Sequence, residues 1–198
     1  MFENDTLFLQ RFLKSLGYYT GKLDGIYGPL TDAAVNAFDD KCDEIAGRIG
    51  RFDKRSESRI VTLHPKAQEK AREFLKELKG ANFFDGVVVK IISGTRTYAE
   101  QAEIYAQGRT KPGRIVTKAG PGRSNHNFGT AWDVGLFNDS DYLDDSPLYK
   151  EVGKVGKSLG LEWGGDWRSI IDEPHFQLPT EYNMTQVRER FEEGIAYV

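Results

Sequence analysis

Three histidines stand in this 198-residue sequence, at positions 64, 126 and 175, and two of them have neighbours suited to chemistry. His126 lies in Ser124-Asn125-His126-Asn127-Phe128-Gly129-Thr130-Ala131-Trp132-Asp133, and His175 in Asp172-Glu173-Pro174-His175-Phe176. A catalytic zinc takes three protein ligands from His, Asp or Glu and leaves a fourth position to water. His126, Asp133 and His175 would supply two neutral nitrogens and one carboxylate. That set leaves a net positive centre able to acidify water and polarise a carbonyl.

The spacing sets conditions. His126 and Asp133 are seven apart, and on one straight strand an odd separation points side chains to opposite faces. Gly129 supplies the bend that lets both converge. Pro174 disfavours helix and pushes Glu173 toward extended backbone, which puts Asp172 on the approach to the metal. A carboxylate there can take a proton from water and return it to a leaving amine, so Asp172 is the candidate general base. Taken singly, each histidine also fits a buried ring bonded to a backbone carbonyl, so spacing alone leaves a zinc hydrolase as one reading. His64, just before Pro65, suits a helix cap or a surface contact.

The elements that must position these residues follow from periodicity. Leu9, Leu13 and Leu16 with Phe8 and Phe12 form one apolar helical face that ends at Gly17. Tyr18 to Pro29 reads as a structured loop. Thr31 is the expected N-cap of a second helix carrying Ala34, Val35 and Phe38. Residues 47–60 are polar and charged, a linker or a solvated helix end. Helices are expected over Lys66–Leu78, Tyr98–Gln107, Lys150–Leu159 and Glu181–Ala196. Strands are expected at Val87–Ile92, Trp132–Leu136 and His175–Leu178. Without a regular βαβ repeat the class is α+β: a mixed or antiparallel sheet flanked by helices, after a small three-helix-type domain. The expected division is 1–46 helical domain, 47–60 linker and 61–198 catalytic domain.

Composition narrows the partners. A net charge of -3 argues against nucleic acid. No apolar run is long enough to cross a bilayer, so no membrane insertion is expected. The first residues, Met-Phe-Glu-Asn-Asp, have neither the positive start nor the apolar stretch of a secretory signal. Synthesis in the cytoplasm is therefore expected. Cys42 is the single cysteine and reads as a small core residue. The acidic stretch around Asn138, Asp139, Asp141, Asp144 and Asp145 does not match an EF-hand and reads as ordinary surface.

Ser124-x-His126-x-x-Gly129-x-Ala131-x-Asp133 with Asp172-x-x-His175 resembles the signature of zinc D-alanyl-D-alanine carboxypeptidases and L-alanyl-D-glutamate endopeptidases. Ser93-Gly94-Thr95-Arg96-Thr97, Glu100-Gln101, Tyr105-Ala106-Gln107-Gly108-Arg109-Thr110 and Trp163-Gly164-Gly165-Asp166-Trp167 are similar to the phage-endolysin branch. The resemblance spans roughly Leu63 to Leu178. It implies zinc on His126, Asp133 and His175, with Asp172 as base. It also implies Arg96 at the developing oxyanion or gripping substrate. Ser124, Gln101, Trp163 and Trp167 become substrate-side candidates, with Gln101 alternatively orienting Arg96. The run Leu9-Gln10, Leu16-Gly17-Tyr18, Gly21 to Gly28, Thr31 and Ala34 to Phe38 resembles a three-helix peptidoglycan-binding domain.

The implied function is an endolysin-like peptidoglycan hydrolase that cleaves the L-alanyl-D-glutamate bond of stem peptides. The alternatives are a D-alanyl-D-alanine carboxypeptidase and a catalytically silent wall binder. The expected partner is bacterial peptidoglycan, the expected state a monomer, and the expected place of action the cell wall after phage lysis or injection.

Overall fold

Alternation with a period of two divides the central sheet into two chemically distinct faces, and that division places the candidate site. The computed structural model describes residues 2, 4–80, 86–168 and 170–198; Met1 and Glu3 of the leading pentapeptide lie outside the described residues. The chain divides into two compact units: Met1–Lys41 with Thr95–Gly129 and Thr180–Val198, and Cys42–Gly94 with Thr130–Pro179.

The second unit holds the sheet. Its strands are β1 (Val87–Ser93), β2 (Ala131–Asn138), β3 (Asp141–Tyr142), β4 (Glu162–Trp163) and β5 (His175–Gln177). They run in the order β1-β2-β5-β4, with β3 paired to β2. Every described pairing is antiparallel. Trp132 pairs with Phe176, and Phe176 with Trp163. These three share the face covered by helices, where the Phe74 and Phe176 rings are 4.7 Å apart. A Cβ on Gly156 would lie 2.4 Å from Phe176, and one on Gly153 would lie 2.5 Å from Trp163. Both glycines belong to α6 (Leu148–Ser158), so the helix can rest directly on the two rings. Asp133 and His175 pair on the opposite face.

The polar stretch 47–60 is built into this unit. It contains the end of α2 (Pro29–Ile49) and all of α3 (Lys54–Ile60). Asp53 caps α3, its carboxylate accepting from the backbone N–H groups of Arg55 and Ser56. Ser56 Oγ accepts the Ile91 N–H from β1 at 3.0 Å. Arg72 on α4 (Pro65–Gly80) is fully buried and grips Glu57 through two bonds of 2.7 and 2.9 Å. A buried guanidinium needs that fork to offset its lost hydration. The charge pattern thus encodes a buried clasp as well as a wet surface.

The first unit is held by rings. Asp5 caps α1 (Thr6–Ser15), accepting from Phe8 N at 3.0 Å. Gly17, at φ 83, turns the chain after it. Phe8 lies against Phe191 of α7 (Met184–Glu193) at 5.1 Å, and Phe191 against Phe128 at 5.3 Å. Tyr197 donates its hydroxyl to the Phe128 carbonyl at 2.7 Å. Within the loop after α1, buried Gln10 accepts from the Asp24 and Gly25 N–H groups at 3.1 and 2.8 Å and donates to the Ile26 carbonyl at 3.0 Å. α2 starts at Pro29, two residues before the expected cap at Thr31. Proline lacks the N–H that a first-turn residue leaves unused, and its φ is already helical. The Gly28 carbonyl accepts from Asp32 at 3.0 Å, and Thr31 is buried inside the first turn.

His64 does cap a helix. Its Nδ1 accepts the Lys66 N–H at 3.2 Å at the start of α4. Burial, aided by the charge of Lys66, lowers its pKa to about 4. Between pH 6.5 and 4 the unfolded chain takes up a proton that the folded chain refuses, so stability falls with pH across that window. Urea unfolding at pH 7 and pH 4 should show wild type losing roughly 3 kcal/mol more than His64→Asn, which retains an acceptor without the titration.

Candidate metal centre

His126 is carried by a single turn of 3-10 helix, Asn125–Phe128. Phe128 anchors this turn among the rings of the first unit, and Gly129, at φ 66, ends it. A left-handed residue there favours glycine, and it provides the bend expected between His126 and β2. The turn is tied to the candidate arginine. Arg96 N donates to the His126 carbonyl at 3.0 Å, and Asn127 Nδ2 donates to the Arg96 carbonyl at 2.9 Å. Asn127 Oδ1 accepts from Gly122 N at 3.0 Å. The guanidinium is oriented by Gln101, whose Oε1 accepts from Arg96 Nη1 at 3.2 Å. Gln101 is fully buried on α5 (Tyr98–Ala106), and its Nε2 donates to the Ala119 carbonyl at 2.7 Å. α5 itself starts in a reciprocal capping box between Thr97 and Glu100.

Asp133 and His175 sit opposite each other on β2 and β5. The register of β1 on β2 shifts between Ile91 and Ser93, beside Asp133. Such irregularities re-aim side chains next to functional sites. His175 Nδ1 lies 3.1 Å from Asp133 Oδ1, with side-chain exposures of 7% and 21%. Burial works to lower the His175 pKa, but the hydrogen bond and charge of Asp133, with help from Gln177 and the charge of Asp172, outweigh it and raise the value above 6.5.

The turn before β5 places Asp172. His175 N donates to the Asp172 carbonyl at 3.1 Å, so residues 172–175 form a tight turn where an extended approach was expected. Asp172 N donates to the Gly164 carbonyl at 3.0 Å. A Cβ on Gly164 would lie 2.4 Å from the Asp172 carbonyl oxygen and 3.1 Å from His175 Cβ. Only a residue without a side chain lets this backbone pass so close. Trp163 donates its indole N–H to the Glu173 carbonyl at 2.7 Å. Its ring belongs to the helix-covered face, so it braces this turn from behind. Trp167 is 37% exposed, and its ring lies 4.9 Å from that of His175.

His126, Asp133 and His175 each offer one ligand atom and form a group of residue types that could hold a metal ion. The donor set fits a cation. A neutral imidazole with its lone pair at Nδ1 would face a carboxylate oxygen at 3.1 Å, and two lone pairs that close repel each other unless a proton or a metal ion lies between them. The raised His175 pKa is the proton version of that requirement. Two histidines and one carboxylate, partly shielded from water, are compatible with a zinc site.

Comparison with known proteins agrees. Residues 117–178 match the family model described as D-alanyl-D-alanine carboxypeptidase, and residues 3–41 match a peptidoglycan binding domain. The peptidoglycan L-alanyl-D-glutamate endopeptidase CwlK of Bacillus subtilis (strain 168) is 40% identical over 126 residues, covering 59% of this chain and 73% of that protein. The L-alanyl-D-glutamate peptidase of Escherichia phage T5 is 30% identical over 129 residues, covering 62% of this chain and 85% of that one. The chain belongs to this family of zinc peptidases. Among solved structures, the L-Ala D-Glu endopeptidase ChiX of Serratia marcescens is 27% identical with a TM-score of 0.48, covering 65% of this chain and 90% of that one.

The peptidase therefore carries the expected His-Asp-His donor set, and the other expected site residues differ in their surroundings. Gln101 has both ends of its carboxamide engaged inside the protein, which suits holding Arg96. Trp163 is packed rather than open, while Trp167 remains available. Ser124 is half-buried ahead of the 3-10 turn, and its hydroxyl does not cap that turn. Three further residues carry geometry without having been assigned a role from sequence: Asn127, Gly164 and Gln177. The Trp163-Gly164-Gly165 run was a visible signal for Gly164. Asn127 and Gln177 carried none beyond lying next to, or two residues from, a histidine.

Proposed function

We propose that this chain is a peptidoglycan hydrolase that cuts the L-alanyl-D-glutamate bond of stem peptides, with zinc held by His126, Asp133 and His175. The likeness to the Bacillus subtilis L-alanyl-D-glutamate endopeptidase carries the choice of bond. Zinc, when bound, polarises the scissile carbonyl and makes water acidic at neutral pH. Asp172 takes the proton from the attacking water and delivers it to the leaving amine of D-glutamate. Arg96, held in place by Gln101, meets the negative oxygen that develops on the carbonyl. Trp167, on the exposed side of His175, presents an aromatic wall to the stem peptide, and Ser124 offers it a hydroxyl. Residues 1–46 serve as a wall-binding element that raises the local concentration of substrate, and 61–198 is the catalytic segment, with the stretch 47–60 packed onto its sheet through Ser56 and onto α4 through Glu57. The chain acts as a monomer at the bacterial cell wall. Among the described residues, no helix is long and apolar enough to cross a membrane.

Mass spectrometry of muropeptides from purified wall tests the bond. The expected product carries a new amino terminus on D-glutamate. The family description of residues 117–178 favours a second reading, removal of the terminal D-alanine. Fragments shortened by one alanine, with the alanine–glutamate bond intact, would replace the first reading by the second.

A further inference from the structure

Four polar side chains from three strands lie in a row on one face of the sheet. Register pairs Asp133 with His175, and Gln177 with Glu162. His175 and Gln177 are two apart on β5, so both project to the same side. The contacts run along the row without a break. His175 Nδ1 is 3.1 Å from Asp133 Oδ1, His175 Nε2 is 2.9 Å from Gln177 Oε1, and Gln177 Nε2 is 2.7 Å from Glu162 Oε2.

Each link has a direction. An ionised carboxylate can only accept, so Glu162 takes the amino end of the Gln177 carboxamide. That turns the amide oxygen toward His175. The amide oxygen also only accepts, so His175 Nε2 must carry a proton. In the neutral ring the lone pair is then at Nδ1, facing Asp133. Without this row the ring would favour the other tautomer, in which Nδ1–H donates to the Asp133 carboxylate in a charge-assisted bond. That tautomer cannot bind a metal at Nδ1.

We propose that Glu162, acting through Gln177, is a positioning residue that selects the Nε2–H tautomer of His175 and so presents Nδ1 beside Asp133 as a zinc-binding atom. This rests on the reading of His175 as a zinc ligand. The sign of one exposed charge at the far end of the row thereby sets the chemistry at its near end. Outer partners of metal-bound histidines commonly act this way.

Two substitutions at Glu162 separate direction from bulk. In Glu162→Lys the ammonium can only donate, so Gln177 must turn its oxygen outward and its amino group toward His175. His175 Nε2 then accepts, and the proton moves to Nδ1. In Glu162→Gln the new carboxamide can still offer its oxygen to Gln177, which preserves the direction. The measurements are long-range 1H–15N spectra of the metal-free full chain, taken at a pH where His175 is neutral, and zinc affinity by competition with a chromophoric chelator. Wild type and Glu162→Gln should show Nε2–H, with zinc affinities within about threefold of each other, and Glu162→Lys should show Nδ1–H and bind zinc about 10–100-fold more weakly. Weaker zinc binding by Glu162→Lys without a change of tautomer would mean simple charge repulsion and would overturn the proposal. A changed tautomer with unchanged zinc affinity would overturn it too. Failure of the zinc reading looks different: the tautomers separate as expected, but wild type takes up no zinc.

Discussion

Asp172→Asn should leave the zinc content of the chain unchanged and slow digestion of purified cell wall by at least about 100-fold, the lower end of what a positioned acid–base group contributes. The two side chains have nearly the same shape. The backbone bonds of Asp172, from its N–H to the Gly164 carbonyl and from His175 N to its own carbonyl, do not involve the side chain. The turn before β5 therefore persists, and with it the placement of His175. What disappears is the ability to take a proton, because a neutral amide is not a base at any physiological pH. Metal analysis of the purified variant, together with the rate of turbidity loss of a wall suspension, reads both halves of this expectation. Wall digestion at the wild-type rate would remove Asp172 from the mechanism. Loss of zinc along with activity would make it a ligand or a structural support instead.

The second large effect belongs to Asp133. Asp133→Asn should weaken zinc binding by more than the roughly 10–100-fold typical of an outer partner, and wall digestion should fall with it. The carboxylate supplies the only formal negative charge of the His126, Asp133 and His175 group, and its oxygen lies 3.1 Å from His175 Nδ1. The same change should lower the His175 pKa, because burial would then act without the opposing charge and hydrogen bond of Asp133. Two measurements therefore move together: zinc affinity by chelator competition, and the His175 titration by NMR in the metal-free chain. The sign of the pH effect in wild type follows. Zinc requires neutral histidine, and a raised His175 pKa makes protons compete at a higher pH than they would for an ordinary histidine. Zinc affinity should thus decline as pH is lowered through the His175 titration, and this decline should shift to lower pH in Asp133→Asn. Unchanged zinc affinity in the variant would remove Asp133 from the ligand set.

Much of the frame was legible from residue order because it is local. The face made by Phe8, Leu9, Phe12 and Leu13 specifies α1, and Gly17 marks its end. The β-branched run Val87 to Ile92 can hardly be other than strand. Gly129 was identifiable as a bend because no other residue in the stretch from His126 to Asp133 adopts left-handed backbone so readily. Boundaries were less legible where two local rules compete. Thr31 is a good cap, but Pro29 is a better first residue, and the helix begins at the proline. The charged stretch 47–60 reads as solvated because sequence shows that Glu57 is charged but not that Arg72, fifteen residues on, will be buried against it.

Residue types and spacing determined the chemistry on offer: two histidines, a carboxylate in a Gly-bent segment and a second carboxylate three residues before His175. Those are properties of single segments, set by side-chain composition and local backbone preference. Only the tertiary structure decided which of the surrounding residues stand near that chemistry. The pairing of β2, β5 and β4 puts Asp133, His175, Gln177 and Glu162 on one face and Trp132, Phe176 and Trp163 on the other. A one-residue slip in register would exchange the two sets. Register is fixed by burying the aromatic face under α4 and α6, a contact between segments far apart in the chain, and no reading of one segment at a time contains it.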